Sequence, residues 1–122
     1  MSIADKIRNS KQVTWATVSC PEWSTDESET VIHVRSMTGA QRNELERMVS
    51  KDAKQIKRDP FIFTEYVLRA CCFDGQDGAA VFAAFTTAEL RDLHPAPRNR
   101  LMDVALKLSG LSDKDVEDIV GN

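Results

Sequence analysis

Residues 60–73 read PFIFTEYVLRACCF, and this stretch decides the fold because it is apolar on nearly every side of a helix. Its only charged residues are Glu65 and Arg69, which are spaced i, i+4 and therefore pair on one face. A helix that is apolar all round is buried in a core. We therefore predict that residues 60–73 form the central buried helix.

The segment before this helix is also predicted to be helical. Thr38 followed by Gln41 fits a capping box. The residue before a proline is pushed out of the helical region, so this helix ends before Asp59 and Pro60. Its apolar residues recur at helical spacing: Leu45, Met48, Val49, Ala53 and Ile56.

Two β-strands are predicted further towards the N-terminus, because VTWATV at 13–18 and VIHVRS at 31–36 are β-branched and alternate with period two. The loop between them, residues 19–30, is long and acidic, so the strands pair as a hairpin around an exposed loop. A lone hairpin is only marginally stable, so it must pack on helices. The apolar residues that share a face are Val13 with Trp15, and Ile32 with Val34.

After the central helix, the Asp-Gly pairs within residues 74–78 predict a tight reversal, followed by a short apolar run that is either a strand or another packed element. Thr86 with Glu89 forms a second capping box and opens a short helix. The next helix has Pro97 in its first turn and ends at Ser109-Gly110, and Ser112 caps the last helix. The apolar stripe of the helix that ends at Ser109-Gly110 contains Leu101, Val104, Ala105 and Leu108.

These elements predict an α+β, mainly helical fold with an N-terminal β-hairpin packed on a four- to five-helix single domain. Residues 1–12 are a predicted mobile N-terminal arm, and residues 13–122 are the domain. The 122 residues are 42% apolar and 29% charged, which suits one globular core. No stretch is long enough to span a membrane and no signal peptide is visible, so we expect a cytoplasmic protein.

The reactive residue types do not form a recognisable site. Three cysteines include the adjacent pair Cys71 and Cys72, so reduced thiols are expected. His33 is predicted to be a partly buried, hydrogen-bonded strand residue. No metal-ligand spacing, glycine-rich phosphate loop or nucleophile turn occurs, so we predict no catalytic, cofactor or metal site.

Two surface features are candidates for binding a partner. Arg47, Lys51, Lys54 and Arg58 form a basic stripe on one helix face. The stripe is either a solvated face, a surface for an acidic protein segment, or a nucleic-acid surface. The net charge of −3 and the lack of interleaved aromatic residues argue against nucleic acid. Trp23, in the acidic loop, either folds back on the core or anchors a partner.

Several phrases resemble those of the phage tail assembly chaperones. They are VRSMT at 34–38, YVLRA at 66–70, Asp77-Gly78 with Phe82, and LKLSGLSDKDVED at 106–118. In that family a strand ending in V-R-x-M-T leads into a long helix, and an L-x-L-S/N-G-L-S/T phrase joins two closing helices. The resemblance spans roughly residues 31–120. This chain departs from the family in its acidic insertion at 19–30 and in DGAAVFAAF at 77–85.

The resemblance implies a non-enzymatic protein of a long-tailed phage, made in the host bacterial cytoplasm and absent from the mature virion. Such a chaperone binds the tape measure protein, keeps it soluble and assists polymerisation of the major tail protein, with no nucleic acid or membrane as partner. We expect its groove between the basic 38–58 helix and the closing helices. The alternatives are a structural tail component and a DNA-associated adaptor that uses the basic helix.

Overall fold

The computed structural model describes residues 1–120 and has an α+β, mainly helical fold, as predicted. Three short strands form an antiparallel sheet in which they lie in chain order, and helices pack against it. The strands are β1 (Trp15–Ser19), β2 (Val31–Arg35) and β3 (Cys72–Phe73); the helices are α1 (Ile3–Asn9), α2 (Gly39–Arg58), α3 (Phe61–Cys71), α4 (Thr87–Arg91), α5 (Pro95–Leu108) and α6 (Asp113–Val120). Gly121 and Asn122, which the predicted domain includes, lie outside the described residues.

The predicted hairpin is confirmed, but one of its faces differs from the prediction. β1 and β2 are antiparallel, with Val18 opposite Ile32 and Ala16 opposite Val34. Ile32 and Val34 share the core face as predicted, and both are buried. Trp15 lies opposite Arg35 on the other face, and its ring packs edge-on to Phe73 with centroids 5.6 Å apart. Because side chains alternate along a strand, Ala16 and Val18 form the core face of β1, and Trp15 lies on the opposite face.

The central helix is confirmed in its position, but it ends earlier than predicted. Phe63, Val67, Leu68 and Cys71 of α3 are all buried. Cys72 and Phe73 leave the helix and pair with Val34 and His33, which adds the third strand. The predicted helix over 60–73 is wrong at this end because strand pairing with distant β2 satisfies the backbone groups of the last two residues.

The reversal after β3 is as tight as the Asp-Gly pairs predicted. Asp74 N–H donates to Ala79 O at 3.0 Å, and Gly78 N–H donates to Gly75 O at 2.9 Å. A Cβ added to Gly78 would lie only 2.7 Å from the Gly75 nitrogen, so the turn needs a glycine there. The chain then returns beside β3, where Phe73 and Ala80 form an isolated bridge.

The long helix α2 begins at the predicted capping box. Thr38 Oγ1 accepts from Gln41 N–H, and the Gln41 side chain accepts from Thr38 N–H in return. Leu45 and Ile56 are buried against the core. The backbone leaves helical values at Asp52 (φ −116°, ψ 28°), so α2 is kinked in its second half. The sequence pattern did not indicate this kink.

The C-terminal helices follow the predicted caps. Thr86 and Glu89 form the second capping box at α4, and Pro97 lies in the first turn of α5. Leu101 and Ala105 are buried, and Gly110 adopts a positive φ of 75° just after α5. Ser112 Oγ accepts from Asp115 N–H at the start of α6. Within α6, the residues Asp113–Val120 include none that is fully buried.

The N-terminal arm contains the short helix α1, capped by Ser2. Every residue from 1 to 12 is exposed. The buried core runs instead from Val18 to Leu111. The mobility of the arm stays a prediction.

Candidate binding grooves

A groove lies between α2 and α6, where the sequence led us to expect one. We call it the helix groove; its volume is about 430 Å³. Leu45 and Leu111 form a buried floor, and Val49 and Ile119 are half-buried walls. Its other lining residues are polar or charged: Arg42, Glu46, Ser50, Asp115 and Asp118.

The rim of the helix groove is predominantly acidic. Asp115 accepts the backbone N–H of Ser112 at 2.9 Å, and hydrogen bonds from Ser112 lower the pKa of this carboxyl. Arg42 is the one cation among the lining residues, and its Nη1 donates to Ser109 O at 3.0 Å. Its Nε lies 3.7 Å from Glu46 Oε1. Glu46, Asp115 and Asp118 therefore outnumber the single guanidinium.

The basic stripe lies outside this groove. Arg47, Lys51, Lys54 and Arg58 are all exposed. Arg47 follows Leu45 by two residues, about 200° around the helix, so it points away from the groove floor. Its guanidinium forms two hydrogen bonds with Glu44, at 2.6 and 3.1 Å.

Glu44 and the kink in α2 both interrupt the stripe. The Arg47 guanidinium lowers the pKa of the Glu44 carboxyl, which keeps an anion within the stripe. The kink at Asp52 separates Arg47 and Lys51 from Lys54 and Arg58. The stripe is thus less continuous than helical spacing alone suggested.

A second groove lies beside the acidic loop, and Trp23 forms one of its walls. We call it the aromatic groove; its volume is about 370 Å³. It is lined by Trp23, Thr30, Val31, Ile32, Asp74, Val81, Phe82, Phe85 and Leu93. Trp23 is half-buried and packs edge-on to Phe82 with ring centroids 6.5 Å apart. The tryptophan therefore folds back onto the core and also borders an open groove.

Two arginines make hydrogen bonds at the aromatic groove: Arg69 to its walls, and Arg100 to the residue next to Trp23. Arg69 donates from Nη1 to Phe82 O and from Nη2 to Phe85 O, both at 2.7 Å. The predicted ion pair with Glu65 is present, at 3.2 Å from Arg69 Nε. Arg100 forms two hydrogen bonds with Glu22, at 3.1 and 2.8 Å, and these hydrogen bonds lower the pKa of Glu22 to about 2.

Sequence reasoning missed Phe82 and Phe85 as parts of a site. Their segment has neither helical nor strand periodicity, so only its unusual apolar content, DGAAVFAAF at 77–85, marked it. The two rings lie 5.2 Å apart in an edge-to-face arrangement.

The three cysteines are free and buried. Burial raises the pKa of Cys71 to about 11, and it also raises the pKa values of Cys20 and Cys72. The thiols are therefore protonated at neutral pH and behave as small apolar groups.

The two histidines occupy structural positions. His33 is half-buried as predicted, but its Nδ1 atom has no hydrogen-bond partner, so the predicted hydrogen bonding is wrong at that nitrogen. His94 is exposed and its Nδ1 accepts from Ala96 N–H at the start of α5. Among residues 1–120, no three His, Cys, Asp or Glu side chains are grouped to hold a metal ion.

Comparisons with protein-family models, curated proteins and solved structures found no match to this chain. None of the helices in the described range, residues 1–120, has the length and apolar character needed to cross a membrane.

Proposed function

We propose that this protein is a tail assembly chaperone of a long-tailed phage, which binds the tape measure protein through the helix groove and carries out no chemical reaction. The observation that carries the proposal is the groove between α2 and α6, with its apolar floor and acidic rim. An amphipathic helix docks in such a groove through apolar residues at i, i+3, i+4 and i+7. Lysines and arginines beside that apolar face would meet Glu46, Asp115 and Asp118.

Two of the phrases behind the family resemblance support the proposal because they meet beside this groove. Met37 N–H donates to Ser109 Oγ at 2.9 Å, which joins VRSMT to LKLSGLS. Arg42, which lines the groove, donates to Ser109 O at 3.0 Å. Arg35 donates to Ala70 O at 3.3 Å, which joins VRSMT to YVLRA. These phrases thus have a structural purpose, which is to position α2 against the turn that leads into α6.

In this proposal the protein works in the host cytoplasm, releases the tape measure protein as the major tail protein polymerises around it, and is absent from the mature virion. Binding in an open groove suits such a temporary complex, because rim charges raise the association rate without requiring a large buried interface.

The test is co-expression with the tape measure protein encoded in the same phage genome. The wild-type chain should keep that protein soluble and co-purify with it. The double variant Glu46→Lys, Asp118→Lys reverses two exposed rim charges, and we expect it to weaken binding about tenfold or more. The matched control, Asp92→Lys with Asp103→Lys, makes an equal change of net charge just after α4 and on α5, and it should bind as the wild type does.

Three results would overturn the proposal. A tape measure protein that stays insoluble beside the wild-type chain removes the chaperone role. Stoichiometric amounts of the chain in purified virions, measured by mass spectrometry, favour a structural tail component. Retardation of duplex DNA that falls steeply with salt and is lost in Lys51→Glu, Lys54→Glu favours the DNA adaptor.

A further inference from the structure

The N-terminal arm presents an apolar face that nothing in the described chain covers. Ile3 is 76% exposed and Ile7 is 58% exposed. They are spaced i, i+4, so they lie next to each other on one side of α1. Within the described residues, the hydrogen bonds and the ion pair of residues 1–12 all join members of the arm, for example Arg8 with Asp5 and Gln12 with Ile7. The arm is therefore a separate apolar ridge on the surface.

The aromatic groove is an apolar cleft that is open to solvent. Val31 on its edge is 40% exposed, and Trp23, Phe82 and Phe85 form its walls. Its volume of about 370 Å³ lies near the lower end of the range for binding sites, about 300–1,000 Å³. A cleft of this size and lining suits a pair of aliphatic side chains from a helix.

The charges of the arm and of the groove are complementary. The arm carries Lys6, Arg8 and Lys11 against Asp5 alone. Asp74 lines the groove, and the loop that joins the lining residues Trp23 and Thr30 carries the exposed Asp26 and Glu27. Lys6 and Arg8 share α1 with Ile3 and Ile7, so docking of the isoleucines brings these cations to the acidic loop.

The positions of the arm and the groove favour two different copies of the chain. The arm joins β1 just before Trp15, whereas the groove includes Val31, which pairs with Ser19 at the other end of that strand. A five-residue strand separates these ends by about 13 Å. The arm thus leaves the domain at the end of the hairpin that lies away from its own groove.

We propose that Ile3 and Ile7 of one copy dock in the aromatic groove of a second copy, with Lys6 and Arg8 facing its acidic loop. This contact joins two different surfaces, so reciprocal exchange of arms gives a closed dimer and one-way exchange gives a ring or chain. The aromatic groove shares no lining residue with the helix groove. Self-association and client binding are therefore separable.

The test measures self-association of the full chain by sedimentation velocity across a concentration series. The wild type should associate, and the arm variant Ile3→Ser, Ile7→Ser should weaken association about tenfold or more. The arm variant cannot disturb the core, because both residues are exposed. The matched control Asn9→Ser changes another exposed arm residue away from the isoleucine face and should associate normally.

A mixing experiment identifies which surfaces meet. The groove variant Val31→Lys places a charge at the edge of the aromatic groove and should also remain monomeric. An equimolar mixture of the arm variant and the groove variant should then form mixed complexes, because the intact arm of one fits the intact groove of the other. We expect that neither variant associates alone and that the mixture of the two does associate.

Two outcomes would overturn this inference. In the first, the wild type stays monomeric throughout the series and the arm variant does not change the fluorescence of Trp23, which is measured in a Trp15→Phe background. The other is a monomer whose Trp23 fluorescence does change with the arm variant, which would mean that the arm occupies its own groove. Neither outcome affects the proposed binding of the tape measure protein.

Discussion

The two sides of the core are held together in different ways. On the sheet side, Arg69 and Arg100 reach across the fold and bind backbone oxygens of Phe82, Phe85 and Ser19. On the α6 side, the chain passes through the buried Leu111, but no residue from Asp113 to Val120 is fully buried. Elements with few buried contacts open at lower free-energy cost than the core. The aromatic groove therefore has fixed walls, whereas the helix groove has one wall that opens more easily.

The substitution Phe82→Ala should have the largest effect, because it removes a ring that is only 2% exposed on the sheet side. We expect the free energy of unfolding to fall by about 3–5 kcal/mol. Urea denaturation followed by circular dichroism measures this. A loss below about 1 kcal/mol would mean that the sheet side is not the fixed one.

The substitution Arg69→Met tests the hydrogen bonds rather than the ring. It keeps an unbranched apolar side chain but removes the Arg69 donor from the Phe85 carbonyl and one of the two donors from the Phe82 carbonyl, which still accepts from Phe85 N–H. We expect a loss of about 1.5–3 kcal/mol in the same denaturation experiment. Arg47→Met is the matched control, because Arg47 is exposed and its ion pair is with nearby Glu44. It should cost less than about 1 kcal/mol.

The substitution Ile119→Ala probes the other side and should cost about 1 kcal/mol or less, because its side chain is only half-buried on α6. Its main effect should be local. Amide hydrogen exchange measured by NMR should accelerate in α6 while α3 exchanges at the wild-type rate. Equal acceleration in both helices would contradict the proposed difference between the two sides.

The smallest effect should come from acid titration of Glu22. Hydrogen bonds from Arg100 lower the pKa of this carboxyl from its ordinary value of 4.5 to about 2. A carboxyl whose pKa is lower in the folded state adds stability that is complete above about pH 4.5 and is lost as the pH falls towards 2. The variant Glu22→Gln should therefore flatten the pH dependence of unfolding in that window, and high salt should reduce the difference because the Arg100 side chain of the pair is exposed.

Local signals in the sequence were sufficient for most of the helices and their ends. The capping boxes at Thr38 and Thr86 and the stop at Gly110 depend on residues within one turn of each other, so a single sequence reveals them. These features need no knowledge of the rest of the fold.

The features that were missed depend on distant partners. Cys72 pairs with Val34 across a long stretch of chain, and nothing near Cys72 indicates that pairing. The same holds for the packing of Trp15 against the Phe73 ring, and for Phe85, whose carbonyl is held by Arg69. The aromatic groove was therefore not predictable from periodicity, because residues from several separate segments form its walls.

The three buried thiols can report how often the structure around them opens, because their rate of alkylation depends on that opening. Cys20 lies in the acidic loop, and Cys71 and Cys72 lie at the junction of α3 with the sheet. Each thiol becomes reactive only when the surrounding structure separates, because exposure returns its pKa to the ordinary range and admits the reagent. Because α6 carries no cysteine, movement of that helix alone does not change the rate of alkylation. Alkylation of the native protein therefore measures the opening of the sheet side.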